Sequence, residues 1–153
     1  MKILLFISAL LLLPLIGFSQ PANDECVDRE LITIGVLDYL ECSIDNTTAT
    51  ESMDASCDGV VDNNLDVWYE FVMPVDGNLY VTNLSGTHGI SVFDACGGTE
   101  IVCFNGDGFV YGLSSGMTSV MRVSERDIFA GTINFRVQAF EEAGNDECAG
   151  GDI

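Results

Sequence analysis

The stretch DVWYEFVMPVDGNLYVTNL, residues 66–84, carries the strongest strand pattern in the sequence. Its first half alternates with a period of two, so that Val67, Tyr69 and Phe71 share one face while Trp68 lies on the other. We expect the first face to enter a core and Trp68 to pack under a loop. The Asp-Gly pair between the two halves favours a tight turn, which predicts that the strands on either side of it are antiparallel neighbours.

Similar runs, rich in β-branched and aromatic residues and closed by Gly, Asn, Asp or Pro, recur along the chain. No segment longer than about ten residues has a helical apolar period with caps. About eight short strands in one domain predict an all-β fold, an antiparallel β-sandwich of jelly-roll type stabilised by disulfides. Residues 43–64 are polar and predict a long loop with at most one short edge strand. The runs are residues 30–37, 66–73, 78–84, 89–95, 100–104, 109–114, 117–123 and 132–140.

The first residues have the layout of a secretory signal peptide. Lys2 precedes an apolar run that is short for a membrane span, and small residues follow, which predicts a signal peptide over residues 1–19. No cysteine follows the expected cleavage site, so a lipid anchor is not expected. The product is therefore expected to be secreted or held at the cell surface, without membrane insertion after cleavage.

The exported chain is strongly acidic. Lys2 is the only lysine, so four arginines face 24 acidic residues after cleavage, a formal charge of −20. This charge repels phosphate backbones and anionic lipid headgroups, which argues against nucleic acid and membrane surfaces as partners. Cations are the natural partners of such a surface, although acidity also serves solubility alone.

Six cysteines follow the signal peptide: Cys26, Cys42, Cys57, Cys96, Cys103 and Cys148. In an exported chain they are expected to form disulfides, since the compartment is oxidising and no CxxC pair points to a metal site. Cys96 and Cys103 flank a Gly-Gly turn between two β-prone runs, which predicts a disulfide across that hairpin. A bond between Cys42 and Cys57 is the second pairing that we expect.

The tetrapeptide NDEC occurs at residues 23–26 and again at residues 145–148. Between the two copies the strand pattern predicts one sandwich module over residues 22–140. After that the chain is small and acidic, so residues 141–153 are expected to form a linker. Both copies lie at the edge of the strand region, one domain's length of chain apart.

The order of these features resembles the pre-peptidase C-terminal-like (PPC-like) modules that are repeated in large secreted proteins of Bacteroidetes. The resemblance covers residues 22–140. Each repeat of that family opens with an NDxC element, which implies that a second, truncated module begins at the second NDEC within residues 141–153. Cys148 would then belong to that module, and Cys26 would be unpaired or bound to a neighbour. The most specific parts are DVWY, VFDACGGTEIVCF and GMTSVMRV, residues 66–69, 92–104 and 116–123.

The acidic segment that leads into the first strand offers oxygen donors at alternate positions, as calcium coordination requires. An EF-hand is excluded, because Val67 replaces the obligatory Gly and Met73 stands where the bidentate Glu belongs. A calcium site shared between loops of the sandwich is the remaining hypothesis, and turn formation is the alternative explanation for these residues. The candidate ligands are Asp58, Asp62, Asn64, Asp66 and Asp107.

The sequence GLSSG, residues 112–116, satisfies the G-x-S-x-G pattern of hydrolases with Ser114 as the nucleophile. That pattern requires a strand-to-helix elbow and a later histidine, whereas a strand is expected after Ser114 and the sole histidine, His88, precedes it. The order of His88, Asp94 or Asp107, and Ser114 would need a larger double barrel. We therefore expect a turn at Ser114 and a surface loop at His88.

These observations favour a noncatalytic extracellular β-sandwich module of a larger secreted or cell-surface protein, serving adhesion, ligand binding or spacing. The alternative is a calcium-dependent carbohydrate-binding or adhesion module that uses Trp68, Tyr80 or Tyr111 as exposed aromatics. A small secreted hydrolase is the third hypothesis, resting on Ser114 and His88. The expected partners are other domains of the same protein and a carbohydrate or cell-surface ligand, and calcium is the one candidate cofactor.

Overall fold

The computed structural model describes residues 19–59, 63–85 and 89–142. This part of the chain is all β apart from two 3-10 turns, which confirms the predicted fold class, and it holds no helix that is long and apolar enough to cross a membrane. The predicted signal peptide up to residue 18 and the second NDEC lie outside the described residues. The strands are β1 (Glu30–Ile32), β2 (Leu40–Asp45), β3 (Asn64–Val72), β4 (Gly77–Asn83), β5 (Gly89–Phe93), β6 (Glu100–Asn105), β7 (Gly108–Leu113), β8 (Thr118–Arg126) and β9 (Thr132–Glu141).

These nine strands form two sheets. One sheet has five strands in the order β1-β3-β8-β5-β6, and the other has four in the order β2-β9-β4-β7. The strands of both sheets pair antiparallel, except that β1 runs parallel to β3. The antiparallel β-sandwich is therefore confirmed, with one strand more than the eight that the sequence predicted.

The apolar faces of the two sheets bury against each other. Val67, Tyr69 and Phe71 of β3 meet Phe135 and Val137 of β9 in the same core, and all five side chains are nearly inaccessible. The rings of Tyr69 and Phe135 pack edge to face with centroids 5.4 Å apart. Each large apolar side chain contributes roughly 1.5–3 kcal/mol when it is fully buried. The alternation in residues 66–73 thus predicts correctly which face of β3 packs in the core between the two sheets.

The predicted pairing of strands 66–73 and 78–84 is wrong. β3 pairs with β1 and β8, whereas β4 pairs with β7 and β9, so the turn between them carries the chain from one sheet to the other. An Asp-Gly pair reverses the chain but does not choose the partner strand. Leu79 and Val81 of β4 are fully buried in the core that β3 also enters, and they reach it from the opposite sheet.

The segment predicted to be a long loop begins within a strand. β2 pairs with β9 as far as Asp45, so Cys42 lies in a strand and packs against the edge of the core. Cys42 is the free cysteine among the described residues. Burial, together with the nearby charge of Glu30, raises the pKa of its thiol to about 11. The thiol is therefore protonated at neutral pH, when it is a poor nucleophile.

Both predicted disulfide pairings are wrong, because the structure joins Cys26 to Cys96 and Cys57 to Cys103. The β5–β6 hairpin does form, but Cys96 lies in its turn while Cys103 lies opposite Ser91 inside the ladder. The two cysteines are thus not opposite each other in the hairpin, and they do not form a disulfide. Cys26 is paired within the module, contrary to the expectation that it would be left over, and Cys148 lies outside the described residues.

The pairing of Cys42 with Cys57 fails for a different reason. Cys42 belongs to the four-stranded sheet, whereas Cys57 is bonded to β6, an edge strand of the five-stranded sheet. The core of the sandwich lies between these two sheets. Sequence separation gave no indication of this, because the chain crosses between sheets more than once.

Residues 46–59, which we call the cover segment, lead from the end of β2 past the core at Ala49 and then pack over the outer face of the five-stranded sheet. The Cys57–Cys103 disulfide fastens this segment to β6. Trp68 of β3 is fully buried beneath the segment, packs with Met53 and donates from Nε1 to Ser52 Oγ at 2.7 Å. The expectation that Trp68 packs under a loop is confirmed, and Trp68 is therefore not one of the exposed aromatics.

Candidate functional site

A buried ion network lies between β8 and the cover segment. Arg122, in the middle of β8, has no exposed surface. Its Nε donates to Asp66 Oδ2 at 2.7 Å, and its Nη1 donates to the two carboxylate oxygens of Asp58 at 2.8 and 2.9 Å. Asp66 belongs to β3 and Asp58 to the cover segment. The arginine therefore ties the cover segment to two central strands of the sheet.

Asp66 has both of its carboxylate oxygens engaged by protein donors. Besides Arg122, it accepts hydrogen bonds from the backbone N–H and the hydroxyl of Ser52 and from the indole N–H of Trp68. Its side chain has no exposed surface. A buried carboxylate is tolerated when it is paired and hydrogen-bonded in this way, so the structure gives Asp66 a structural role in the ion network.

The network ends at a pocket with a volume of about 390 Å³. The five-stranded sheet contributes Gly89 of β5, Asn105 of β6 and Ser124 of β8, and the cover segment contributes Asp58. Phe129, from the 3-10 turn after β8, lines the same pocket with 60% of its surface exposed. This volume lies in the lower range of small-molecule pockets, which combine a few converging polar groups with aromatic surface.

Three polar atoms converge beside Gly89. A Cβ built at this glycine would lie 2.8 Å from Ser124 Oγ, 3.5 Å from Asn105 Oδ1 and 3.6 Å from Asp58 Oδ1. The shortest of these distances would be a clash, so position 89 requires a glycine for Ser124 to lie this close to the backbone. The amide of Asn105 donates to the backbone oxygen of Cys57 at 3.2 Å, and this bond fixes which side of the amide faces Gly89.

The structure separates the predicted calcium ligands. Asp58 and Asn64 line the pocket, whereas Asp66 lies beneath the cover segment. Asp107 accepts a hydrogen bond from the backbone N–H of Asn83 at 2.7 Å and so caps the end of β4. Asp62 lies outside the described residues. Asp58 and Asp66 share Arg122 as their partner, whereas Asp107 is held elsewhere by Asn83, so the described members of the predicted set do not form one cluster.

A different acidic cluster is present near the pocket. Glu51, Asp54 and Asp58 each offer a carboxylate oxygen, and these oxygens lie within 4.8 Å of one another. All three residues belong to the cover segment. Asp58 is shared between this cluster and the ion pair with Arg122.

The structure places Ser114 in an exposed turn, as expected. The backbone oxygen of Ser114 accepts a hydrogen bond from the N–H of Met117 at 3.0 Å, and strand β8 follows, so the strand-to-helix elbow of a hydrolase is absent here. Asp94 accepts from the backbone N–H of Thr99 at 2.7 Å within the β5–β6 turn. His88 lies outside the described residues. The described residues therefore form no Ser-His-Asp arrangement.

The pocket contains residues that sequence reasoning did not single out. Arg122 could have been recognised from the sequence. It is the one charged residue in the apolar strand run 117–123, and a buried charge needs a partner of opposite charge. No sequence pattern pointed to Asn105, Ser124 or Phe129. Each comes from a separate strand end or turn, and the order of strands in the sheet brings them together.

Comparisons with known proteins agree with this architecture. Residues 22–137 match the model of a family described as galactose binding domain-like, in the group associated with the type IX secretion system (T9SS). No curated protein matches the chain. The sequence resemblance implied a module of secreted Bacteroidetes proteins, and the match supports this in the form of a T9SS-associated module, but it is not specific to PPC-like modules.

Two general expectations from the sequence agree with this match. Association with a secretion system and the presence of two disulfides are consistent with an extracellular or cell-surface location. Galactose-binding-like domains are typically binding modules and not catalysts, in line with the expected noncatalytic role. The match covers the whole sandwich that the structure describes from β1 to β8 and most of β9. The chain therefore belongs to the galactose binding domain-like family associated with T9SS.

Proposed function

We propose that this chain is a noncatalytic carbohydrate-binding module of a secreted or cell-surface protein, and that the pocket beside Gly89 holds the sugar. The observation that carries this proposal is the pocket of about 390 Å³, which Asp58, Asn105 and Ser124 line together. Sugar hydroxyls both donate and accept hydrogen bonds, so they can pair with each of these groups. The exposed ring of Phe129 adds an apolar surface for the C–H groups of a pyranose.

The ion network supports binding by holding the pocket in shape. Arg122 fixes the Asp58 carboxylate through two hydrogen bonds, and the Cys57–Cys103 disulfide holds the adjoining residue. Groups that are already ordered lose less entropy when a ligand arrives. The ion network holds two carboxylates against one guanidinium, and Glu125 also lines the pocket, so the site is acidic and favours hydroxyl and amino donors over acidic sugars.

Replacement of Phe129 by alanine tests the pocket. We expect sugar affinity to fall about tenfold, the equivalent of one aromatic contact, while the fold is unaffected because the side chain is exposed. A glycan array identifies the best neutral or amino sugar, and calorimetry with that sugar measures the change. Ile128→Ala is the matched control, since Ile128 is 74% exposed in the same turn and does not line the pocket.

Two results would contradict the proposal. One is the absence of any binding sugar on the array. The other is an equal loss of affinity for Phe129→Ala and Ile128→Ala, which would mean that the effect does not arise in the pocket.

The second candidate function is a calcium-dependent form of the same module, and the observation that favours it is the cluster of Glu51, Asp54 and Asp58. Oxygen ligands of this kind suit calcium. Calcium at one hundred times its dissociation constant is expected to stabilise the fold by about 2.7 kcal/mol. Thermal unfolding in calcium chloride and in EDTA measures this, with Asp54→Asn as the test variant and the exposed Asp38→Asn as the control. Identical melting temperatures in both solutions would exclude this form.

The remaining sequence-based expectations belong to the same proposal. The module is proposed to act beside other domains of the same secreted protein and to place them near a carbohydrate or cell-surface ligand. The acidic surface supports the absence of nucleic acid and membrane headgroups among its partners, since a formal charge of −19 for the whole chain repels both.

A further inference from the structure

A row of aromatic rings stands on the outer face of the four-stranded sheet. Tyr80 of β4 and Phe109 of β7 lie directly opposite each other and stack with centroids 4.3 Å apart. Tyr111, two residues further along β7, stacks on Phe109 with centroids 5.7 Å apart. Phe140 of β9 packs at a tilt against Phe109 at 6.4 Å. None of these four residues lines the pocket beside Gly89, so the aromatic row is a separate surface.

A role in stabilising the sheet accounts for some of the rings in the aromatic row, but not for Tyr111. A cross-strand pair such as Tyr80 and Phe109 stabilises neighbouring strands. Tyr111, however, lies on β7, which is an edge strand, and 71% of its surface is exposed. A ring that served only to support the sheet would bury more of its area. The exposed ring of Tyr111 is therefore available to an external molecule.

The two strands that carry Tyr80, Phe109 and Tyr111 are uncharged along their length, although acidic residues adjoin their ends. β4 and β7 contain no Asp, Glu, Lys or Arg, although the whole chain has 24 acidic residues. The polar side chains on the two strands beside the row are neutral amides and hydroxyls, such as Asn78 and Thr82. On the same sheet Arg136 is already paired with Glu41. The surface therefore complements a neutral partner that combines flat apolar faces with hydroxyl groups.

We infer that the aromatic row is a second binding surface, and that its occupant is a neutral polysaccharide chain. The faces of pyranose rings carry C–H groups with a partial positive charge, which are attracted to the negative face of an aromatic ring. The rigid tyrosines lose little entropy on contact, and their hydroxyls hydrogen-bond to the polymer. An acidic polysaccharide is repelled by the charge of the chain, and the same repulsion disfavours a second copy of this protein.

Native affinity electrophoresis of the full secreted chain tests this inference. The acidic protein is run through gels that contain a neutral polysaccharide, galactomannan or hydroxyethyl cellulose, and through gels that contain alginate as the acidic comparison. We expect retardation in a neutral gel only. Tyr111→Ala should weaken binding about tenfold, as expected for the loss of one stacked ring. Tyr39→Ala is the matched control, because Tyr39 is also an exposed tyrosine but its ring lies 4.5 Å from the guanidinium of Arg136.

The outcomes separate this surface from the pocket. Loss of retardation in Tyr111→Ala but not in Tyr39→Ala or Phe129→Ala supports the inference, even if no free sugar binds the pocket. Retardation that Tyr111→Ala leaves unchanged overturns it, as does the absence of retardation in every neutral gel. If size-exclusion chromatography shows a dimer that Tyr111→Ala dissociates, the occupant is a second copy and the inference is wrong.

Discussion

Replacement of Arg122 by alanine is expected to lower the free energy of unfolding by about 3–5 kcal/mol, because it leaves two buried carboxylates without their counter-ion. Asp66 is completely buried and Asp58 nearly so, and both depend on the guanidinium of Arg122. A loss of this size is a large share of the stability of a small domain. Urea unfolding followed through Trp68 fluorescence measures it, since Trp68 lies beside Asp66.

The exposed ion pair on the other sheet provides the control for Arg122. Arg136 pairs with Glu41 at 2.5 Å, but both side chains are well exposed. Such a surface pair contributes at most about 1 kcal/mol, so Arg136→Ala should have a small effect. Arg122→Lys should give an intermediate loss, because an ammonium group keeps the charge but cannot reproduce the planar fork. Equal losses for the Arg122 and Arg136 alanine variants would contradict the proposed role of the network.

Removal of the Cys57–Cys103 disulfide is the second change with a large expected effect. Replacement of both cysteines by serine should cost about 2–5 kcal/mol, because the unfolded chain gains conformational freedom when the cross-link is lost. The bond joins residues 46 positions apart and holds the cover segment on β6. We therefore also expect faster proteolysis within residues 46–59. Chemical denaturation and limited proteolysis of the double variant measure the two effects.

Two measurements complete this test. Cys42→Ala is the control, because Cys42 forms no disulfide with any of the described cysteines, and it should change stability much less than the double serine variant does. Peptide mapping without reduction should recover Cys57 joined to Cys103 and Cys26 joined to Cys96. Recovery of a Cys96–Cys103 peptide, or of Cys42 joined to Cys57, would contradict the structure.

Most strands were predictable from the sequence because strand formation depends on local pattern. The alternation in residues 66–73 gave both the existence of β3 and its buried face. The β5–β6 hairpin followed from a Gly-Gly turn between two short runs. β2 was missed although its residues Leu40 to Asp45 alternate with a period of two, because the run is short and includes only two large apolar side chains. A short edge strand of this kind becomes evident from its pairing with β9, and β9 lies far away in the sequence.

The candidate site was less predictable, because its members come from separate parts of the chain. Asp58 and Asn64 were named from the sequence and do line the pocket, whereas Asn105, Ser124 and Phe129 were not named. Asp66 was named as a metal ligand, yet its oxygens are taken by protein donors. Oxygen-rich spacing alone cannot distinguish a metal ligand from the partner of a buried arginine, since the same carboxylate serves either.

The sequence by itself determined an all-β sandwich, the face of each strong strand that enters the core, and a chain rich in acid. These properties depend on side-chain period and on composition, which are local or additive. Only the tertiary structure decided that β3 and β4 lie in opposite sheets, that Cys26 pairs with Cys96 and Cys57 with Cys103, and that the cover segment buries Arg122. The physical reason is that each of these contacts joins distant residues, and its geometry exists only once two sheets have closed around a shared core.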